Sequence, residues 1–182
     1  MDLRNFRVGT ERLVLRVVRP DDIEALCSLM TEGISRWVAA WPFPLTAERA
    51  SGIVAPALEK AGTGHALPMV MVERSSTAIA GWIKLDIDGG IGDLGYWVGE
   101  AAQGRGYALE AARAIINAAF GELGLHAIEA GAQPANAASH HLLAKLGMHE
   151  IGERLVYAPA RQRHGVCRFW RLERPVISCH AF

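Results

Sequence analysis

The stretch that most constrains this chain runs from Asp93 to Phe120. Asp93-Leu94-Gly95-Tyr96-Trp97-Val98 reads as a strand, because aromatic and β-branched residues suit a pleated, half-buried surface. Glu100-Ala101-Ala102-Gln103-Gly104-Arg105-Gly106-Tyr107-Ala108 follows as a turn of small residues. Beyond Gly106, Ala108, Ala111, Ala112, Ile115, Ala119 and Phe120 recur at helical spacing, and Gly121 and Gly124 stop the helix. The first N–H groups of such a helix have no internal partner and carry the positive end of the dipole. Next to a small-residue turn they make an anion site suited to phosphate. Taken alone, the turn reads equally well as a plain glycine-rich helix entry. Gly104-x-Gly106 opens a dinucleotide fingerprint, but Leu109 stands where its third glycine belongs. No Gly-Lys-Ser/Thr follows, which excludes a nucleotide P-loop.

The rest of the chain alternates strand and helix signals. Strands are predicted at 13–18, 68–73, 79–85, 127–132, 155–157 and 166–172. Asp21 or Asp22 is placed to cap a helix carrying Ile23, Leu26, Leu29 and Met30, and a second helix starts at Thr46 and fades at Gly62-Thr63-Gly64. Asn136 is placed to cap a short helix through Leu146. Ser75-Ser76-Thr77 reads as a turn, and Gly89-Gly90-Ile91-Gly92 as a loose connection. There is no repeat or linker, so residues 1–182 read as a single α/β domain.

Composition removes several function classes. With 51% apolar residues the chain can fill one core. Its 19 basic and 19 acidic residues cancel, which speaks against broad nucleic-acid binding. No apolar run approaches the roughly 18 residues of a membrane span, and Met1-Asp2-Leu3-Arg4-Asn5 has no signal-peptide pattern. Cys27, Cys167 and Cys179 are scattered and lack a C-x-x-C spacing, so the expectation is a reducing, cytoplasmic compartment without a disulfide framework or structural zinc. Cys179-His180-Ala181-Phe182 only loosely matches a prenylation box, because His180 is not aliphatic. His140 and His141 adjoin and no H-E-x-x-H occurs, so no metal is expected.

An ordered set of motifs narrows the reading. Gln103-Gly104-Arg105-Gly106-Tyr107-Ala108 fits Q/R-x-x-G-x-G/A, the acyl-CoA pyrophosphate loop of the GNAT superfamily of N-acetyltransferases. Leu94-Gly95-Tyr96-Trp97-Val98 precedes it, and Pro134-Ala135-Asn136-Ala137-Ala138-Ser139 and Leu143-Ala144-Lys145-Leu146-Gly147-Met148 follow in order. Thr10-Glu11-Arg12-Leu13-Val14-Leu15-Arg16 and the Trp37–Pro44 stretch match as well. From about residue 8 to residue 172 the chain resembles the RimJ/RimL-type branch, which acetylates protein N-termini or small amines.

The resemblance implies a mixed, mostly antiparallel sheet of about seven strands flanked by helices, with the strands at 93–98 and 127–132 splayed apart around acetyl-CoA. Pantetheine would pair with backbone groups of Tyr96, Trp97 and Val98. The pyrophosphate would sit on the loop Gln103, Gly104, Arg105, Gly106, Tyr107 and Ala108, with Arg105 adding charge. Asn136 and Ser139 would contact the cofactor, and Ser139 would protonate the departing thiolate. Asp93 is the first candidate base, acting through water, and Glu100 the second. Tyr96, Trp37, Trp41 and Phe43 would shape the acceptor pocket. Leucine at 143 stands where many relatives carry a tyrosine acid. The arginines at 154, 161, 163, 168, 171 and 174 read either as a solvated face or as a site for an acidic acceptor or the CoA 3′-phosphate. The activity implied is direct acetyl transfer to a protein N-terminus or small amine; the alternative is a non-catalytic acyl-CoA-binding domain. A sheet edge or the aromatic loop offers a homodimer contact.

Overall fold

The computed structural model describes residues 1–175, so Cys179 and the four-residue C-terminal motif lie outside the described residues. Eight strands form one sheet. They are β1 (Arg7–Gly9), β2 (Leu13–Val17), β3 (Ala66–Glu73), β4 (Ile79–Asp88), β5 (Ile91–Val98), β6 (Ala127–Ala132), β7 (His149–Ala158) and β8 (Arg163–Glu173). Their spatial order is β1-β2-β3-β4-β5-β6-β8-β7. Only the β5–β6 pair is parallel, and a helix, α4 (Tyr107–Gly121), makes the crossover that a parallel pair needs. The strand beyond the expected seven is β1, whose three residues are too few to show a period-2 pattern; pairing with β2 defines it.

Local chemistry accounts for the joints. Thr46 caps α3 (Ala47–Thr63) by accepting the Arg49 N–H, and Gly64 closes it at φ +82°, a left-handed conformation that favours glycine. Gly89 and Gly90 form a tight two-residue hairpin turn rather than a loose connection, with φ of +53° and +78°, and β5 starts directly after it. Asp22 precedes α1 (Ile23–Leu29) but does not cap it with its side chain. Its buried carboxylate instead accepts two 2.7 Å hydrogen bonds from the Arg16 guanidinium and one from the Arg19 N–H. A four-residue helix, α2 (Glu32–Ser35), capped by Thr31, stands where no helix was read.

The sheet separates two apolar layers. On one face Leu15, Met69, Leu85 and Ile128 pack against Ala111, Ile115 and Ala119 of α4. On the other, Val70, Trp82 and Trp97 pack against Leu26 of α1, Val54 of α3 and Trp41. Trp41 meets Trp82 and Trp97 edge-on at centroid distances of 5.0 and 5.4 Å. Each such side chain contributes about 1.5–3 kcal/mol on burial, so both faces of β4 and β5 are held firmly. β1 and β7 are the sheet edges, and the ribbon of β7 with β8 exposes Leu155, Tyr157 and Val166.

Candidate active site

β5 is treated differently along its two edges. β4 pairs with it from Asp88↔Ile91 to Gly81↔Val98, whereas β6 pairs with it only at Ile91↔Ala127, Gly92↔Ile128 and Asp93↔Glu129. Beyond Asp93 the parallel strands part. The Gly99 N–H donates to the Ala80 carbonyl at 2.8 Å, and alternation from that bond settles which way each peptide faces. Gly95 and Trp97 exchange their backbone bonds with β4; Tyr96 and Val98 turn theirs to the open edge. The expectation that Trp97 offers backbone groups to a ligand is thereby corrected. Gln103 Nε2 donates to the Val98 carbonyl at 3.0 Å, which leaves the Val98 N–H as the open donor. The parting opens a cleft of about 1320 Å³ lined from both faces of the sheet, including α4, α5 (Ala137–Lys145) and the 33–41 segment.

The turn into α4 has the conformation its glycines suggest. Gly104 and Gly106 lie at φ +74° and +81°, and a Cβ at Gly104 would meet nothing, so conformation rather than space selects glycine there. Gly106 is the N-cap of α4 and has no side-chain cap, which leaves the first N–H groups of the helix without a side-chain acceptor. Gln103, Gly104, Gly106, Tyr107 and Ala108 line the cleft. Arg105 does not: its guanidinium binds Glu73 at 2.7 Å and lies 4.6 Å from the centre of the Tyr107 ring. This side chain braces the turn from outside the cleft. Arg12 completes that brace, donating to the Arg105 carbonyl at 2.8 Å and pairing with Glu110.

Residues three apart on a strand point to opposite faces, so Asp93 and Tyr96 occupy the two sides of β5. Asp93 stands in a charged row created by register, Asp86↔Asp93↔Glu129↔Arg171. Solvent reaches Asp93 at the cleft, yet protein encloses it on most sides. That desolvation, with repulsion from Asp86 and Glu129 outweighing the pull of Lys84 and Arg154, pushes its pKa up to about 6. Lys84 pairs with Asp86 at 2.6 Å, while Arg154 and Arg171 bind Glu129 at 2.7 and 2.8 Å. Lys84, Asp86 and Glu129 were not singled out in the sequence, and Arg154 and Arg171 were read only as part of the arginine cluster; cross-strand register is the signal that ties them to Asp93, and it is non-local. Glu100 lines the same cleft but accepts a 2.5 Å hydrogen bond from Thr31 Oγ1 at the start of α2.

On the other face Asn136 caps α5, its Oδ1 accepting the Ser139 N–H at 3.2 Å. Asn136, Ser139 and Tyr96 all line the cleft. The Tyr96 hydroxyl is buried without a hydrogen-bond partner; Ser139 is its neighbour on α5 but stands outside bonding geometry. Burial raises the Tyr96 pKa above its ordinary value. Leu143 is fully buried in the core.

Trp37 and Trp41 line the cleft, but Phe43 does not and is 51% exposed, which corrects its expected place in the pocket. The arginine-rich tail of the fold is mostly committed. Arg168 pairs with Glu153, Arg171 also with Glu173, and Arg161 donates to the carbonyls of Ser35 and Val38. Among the described residues no group of three or more His, Cys, Asp or Glu could hold a metal ion, and no helix is long and apolar enough to cross a membrane.

Known proteins share this fold. The family model described as Acetyltransferase (GNAT) domain matches residues 12–149. The chain is 27% identical to the uncharacterized N-acetyltransferase p20 of Bacillus licheniformis, over 85% of this chain and 88% of that protein. RimJ of Mycobacterium smegmatis, solved with CoA-disulfide, superposes with a TM-score of 0.81 at 22% identity, covering 92% of this chain and 87% of that one. A GNAT-family acetyltransferase from Bacillus anthracis superposes with a TM-score of 0.79 at 22% identity, covering 93% and 99%.

Proposed function

Because the chain belongs to the acetyltransferase (GNAT) family, we propose that it moves the acetyl group of acetyl-CoA directly to a primary amine, a protein N-terminus or a small molecule, in the cleft between β5 and β6. The observation that carries this reading is the parting of the two strands after Asp93 and Glu129. It leaves the backbone N–H and carbonyl of Tyr96 for an extended pantetheine-like chain and the Val98 N–H for the reacting end, in line with the uncapped start of α4 for its pyrophosphate. These residues fit the co-substrate without a metal.

Each chemical requirement has a candidate. An alkyl amine with a pKa near 10.4, by the lysine reference, must lose a proton to attack. Asp93 accepts it, directly or through water, and its pKa of about 6 makes it a stronger base than an ordinary aspartate. The open Val98 N–H is the oxyanion donor. Ser139 serves the departing sulfur, whose thiol reference pKa is about 8.5. Asn136 positions the start of α5, and Trp37 and Trp41 bound the acceptor side. We further propose a single catalytic domain in the cytoplasm, supported by the free thiols of Cys27 and Cys167, and a homodimer formed along the β7 edge.

The experiment is a panel of amines, amino acids and peptides read by free-thiol release. At least one class is expected to release CoA only when acceptor is present. Failure to bind acetyl-CoA by calorimetry would overturn the reading outright; binding without turnover on any acceptor would favour a non-catalytic CoA-binding role.

A further inference from the structure

The Tyr96 hydroxyl is unexplained by packing. It is buried and bonds to nothing, although a buried polar group left unpaired costs about 1–3 kcal/mol. It lies on the α4–α5 side of β5, beside Ser139, whose own hydroxyl makes no hydrogen bond among the described residues. Ser139 and Leu143 are one turn apart on α5 and share the face toward the cleft. Leu143 has no proton to offer, so α5 presents a single hydroxyl, and the strand opposite supplies the second. Ser139 is half-exposed while the Tyr96 oxygen is enclosed, so a molecule in the cleft meets Ser139 first.

We propose that Tyr96 is a positioning residue for Ser139: with acetyl-CoA bound it donates its O–H to Ser139 Oγ and so aims the serine hydroxyl at the departing sulfur. Hydrogen bonds of this kind are often misaligned in a free enzyme and tighten around the reactants. The inference rests on the acetyl-transfer reading. In the step, the amine nitrogen bonds the acetyl carbon and its proton leaves through Asp93. The C–S bond breaks with its electron pair on sulfur, and the sulfur anion accepts the Ser139 O–H hydrogen bond. The thiol proton then comes from water. Tyr96 keeps its own proton throughout, as its burial favours.

The test is a double-mutant cycle of Tyr96→Phe and Ser139→Ala in the full chain. Tyr96→Phe is expected to lower kcat about tenfold, less than the roughly 100-fold or more of a direct proton donor, because Tyr96 acts through Ser139. Its KM for acetyl-CoA and its calorimetric affinity stay within about twofold of wild type, and its urea midpoint is unchanged or higher, since the hydroxyl has no bond to lose. On the Ser139→Ala background the tyrosine change has no further effect. Additive losses, an equal loss of acetyl-CoA affinity, a lowered urea midpoint or full turnover of Tyr96→Phe each overturn the relay. Wild-type protein that transfers acetyl to nothing overturns the proposed function instead, so the two failures are distinct.

Discussion

The two edges of β5 carry the same residues and opposite duties. Toward β4 all eight residues are paired in unbroken register, and aromatic packing backs them. Toward β6 three residues pair and five do not. An unpaired strand edge inside a fold is costly unless something else occupies it. The regular edge therefore acts as the mount that holds the irregular one in shape. Gly81 shows how tight the mount is, because a Cβ there would fall 2.4 Å from the Trp97 carbonyl oxygen and 2.9 Å from Val98 Cα.

Four changes break or sharpen this contrast. The largest effect belongs to the point where the pairing ends: Asp93→Asn should lower kcat about 100-fold or more with unchanged acetyl-CoA affinity by calorimetry, the scale of a lost general base. Next, Gly81→Ala forces backbone against backbone on the mounted edge and should cost about 2 kcal/mol in urea unfolding, with acetyl-CoA binding weakened as β5 shifts. Gln103→Leu removes the tether on the Val98 carbonyl while leaving β4 untouched; about 1 kcal/mol of stability and a several-fold rise in KM for acetyl-CoA are expected in steady-state kinetics. The smallest effect is on pH dependence. Asp93 is protonated below about pH 6, so kcat/KM should rise through that pH and level above it. The same raised pKa means the folded protein holds a proton that the unfolded chain releases from about pH 4. Its stabilising contribution is therefore complete in acid and disappears as pH rises through about 6. Thermal melts of Asp93→Asn against wild type should show the variant gaining relative stability from pH 4 to pH 8. Flat curves would mean that Asp93 keeps an ordinary carboxylate pKa in the folded chain, with neither desolvation nor the charges of Asp86 and Glu129 raising it.

What could be read in the sequence is what is local. The loop at 103–108 and the Asn136 cap announce themselves because positive φ and capping demand particular residues within a few positions. The helix between β5 and β6 follows from the same short segments, whereas the mixed sheet and the parting of those two strands follow only from the resemblance that the segments carry together. Long-range pairing is where residue-by-residue reading fails. Arg105 looks like a phosphate ligand until β3 brings Glu73 to it, 32 positions away. Phe43 sits among pocket tryptophans in sequence and points outward in space. Neither the charged row around Asp93 nor the orphan hydroxyl of Tyr96 has a linear signature, because both arise from which strand lies beside which.

The cleft is also lined from both faces of the sheet, with Asp93 on one and Ser139 and Tyr96 on the other. Two reactants held against opposite faces need not displace one another, and under the proposed direct transfer no nucleophilic side chain has to store the acetyl group between visits. The proposed direct transfer requires a ternary complex, so double-reciprocal plots against either reactant should intersect rather than run parallel.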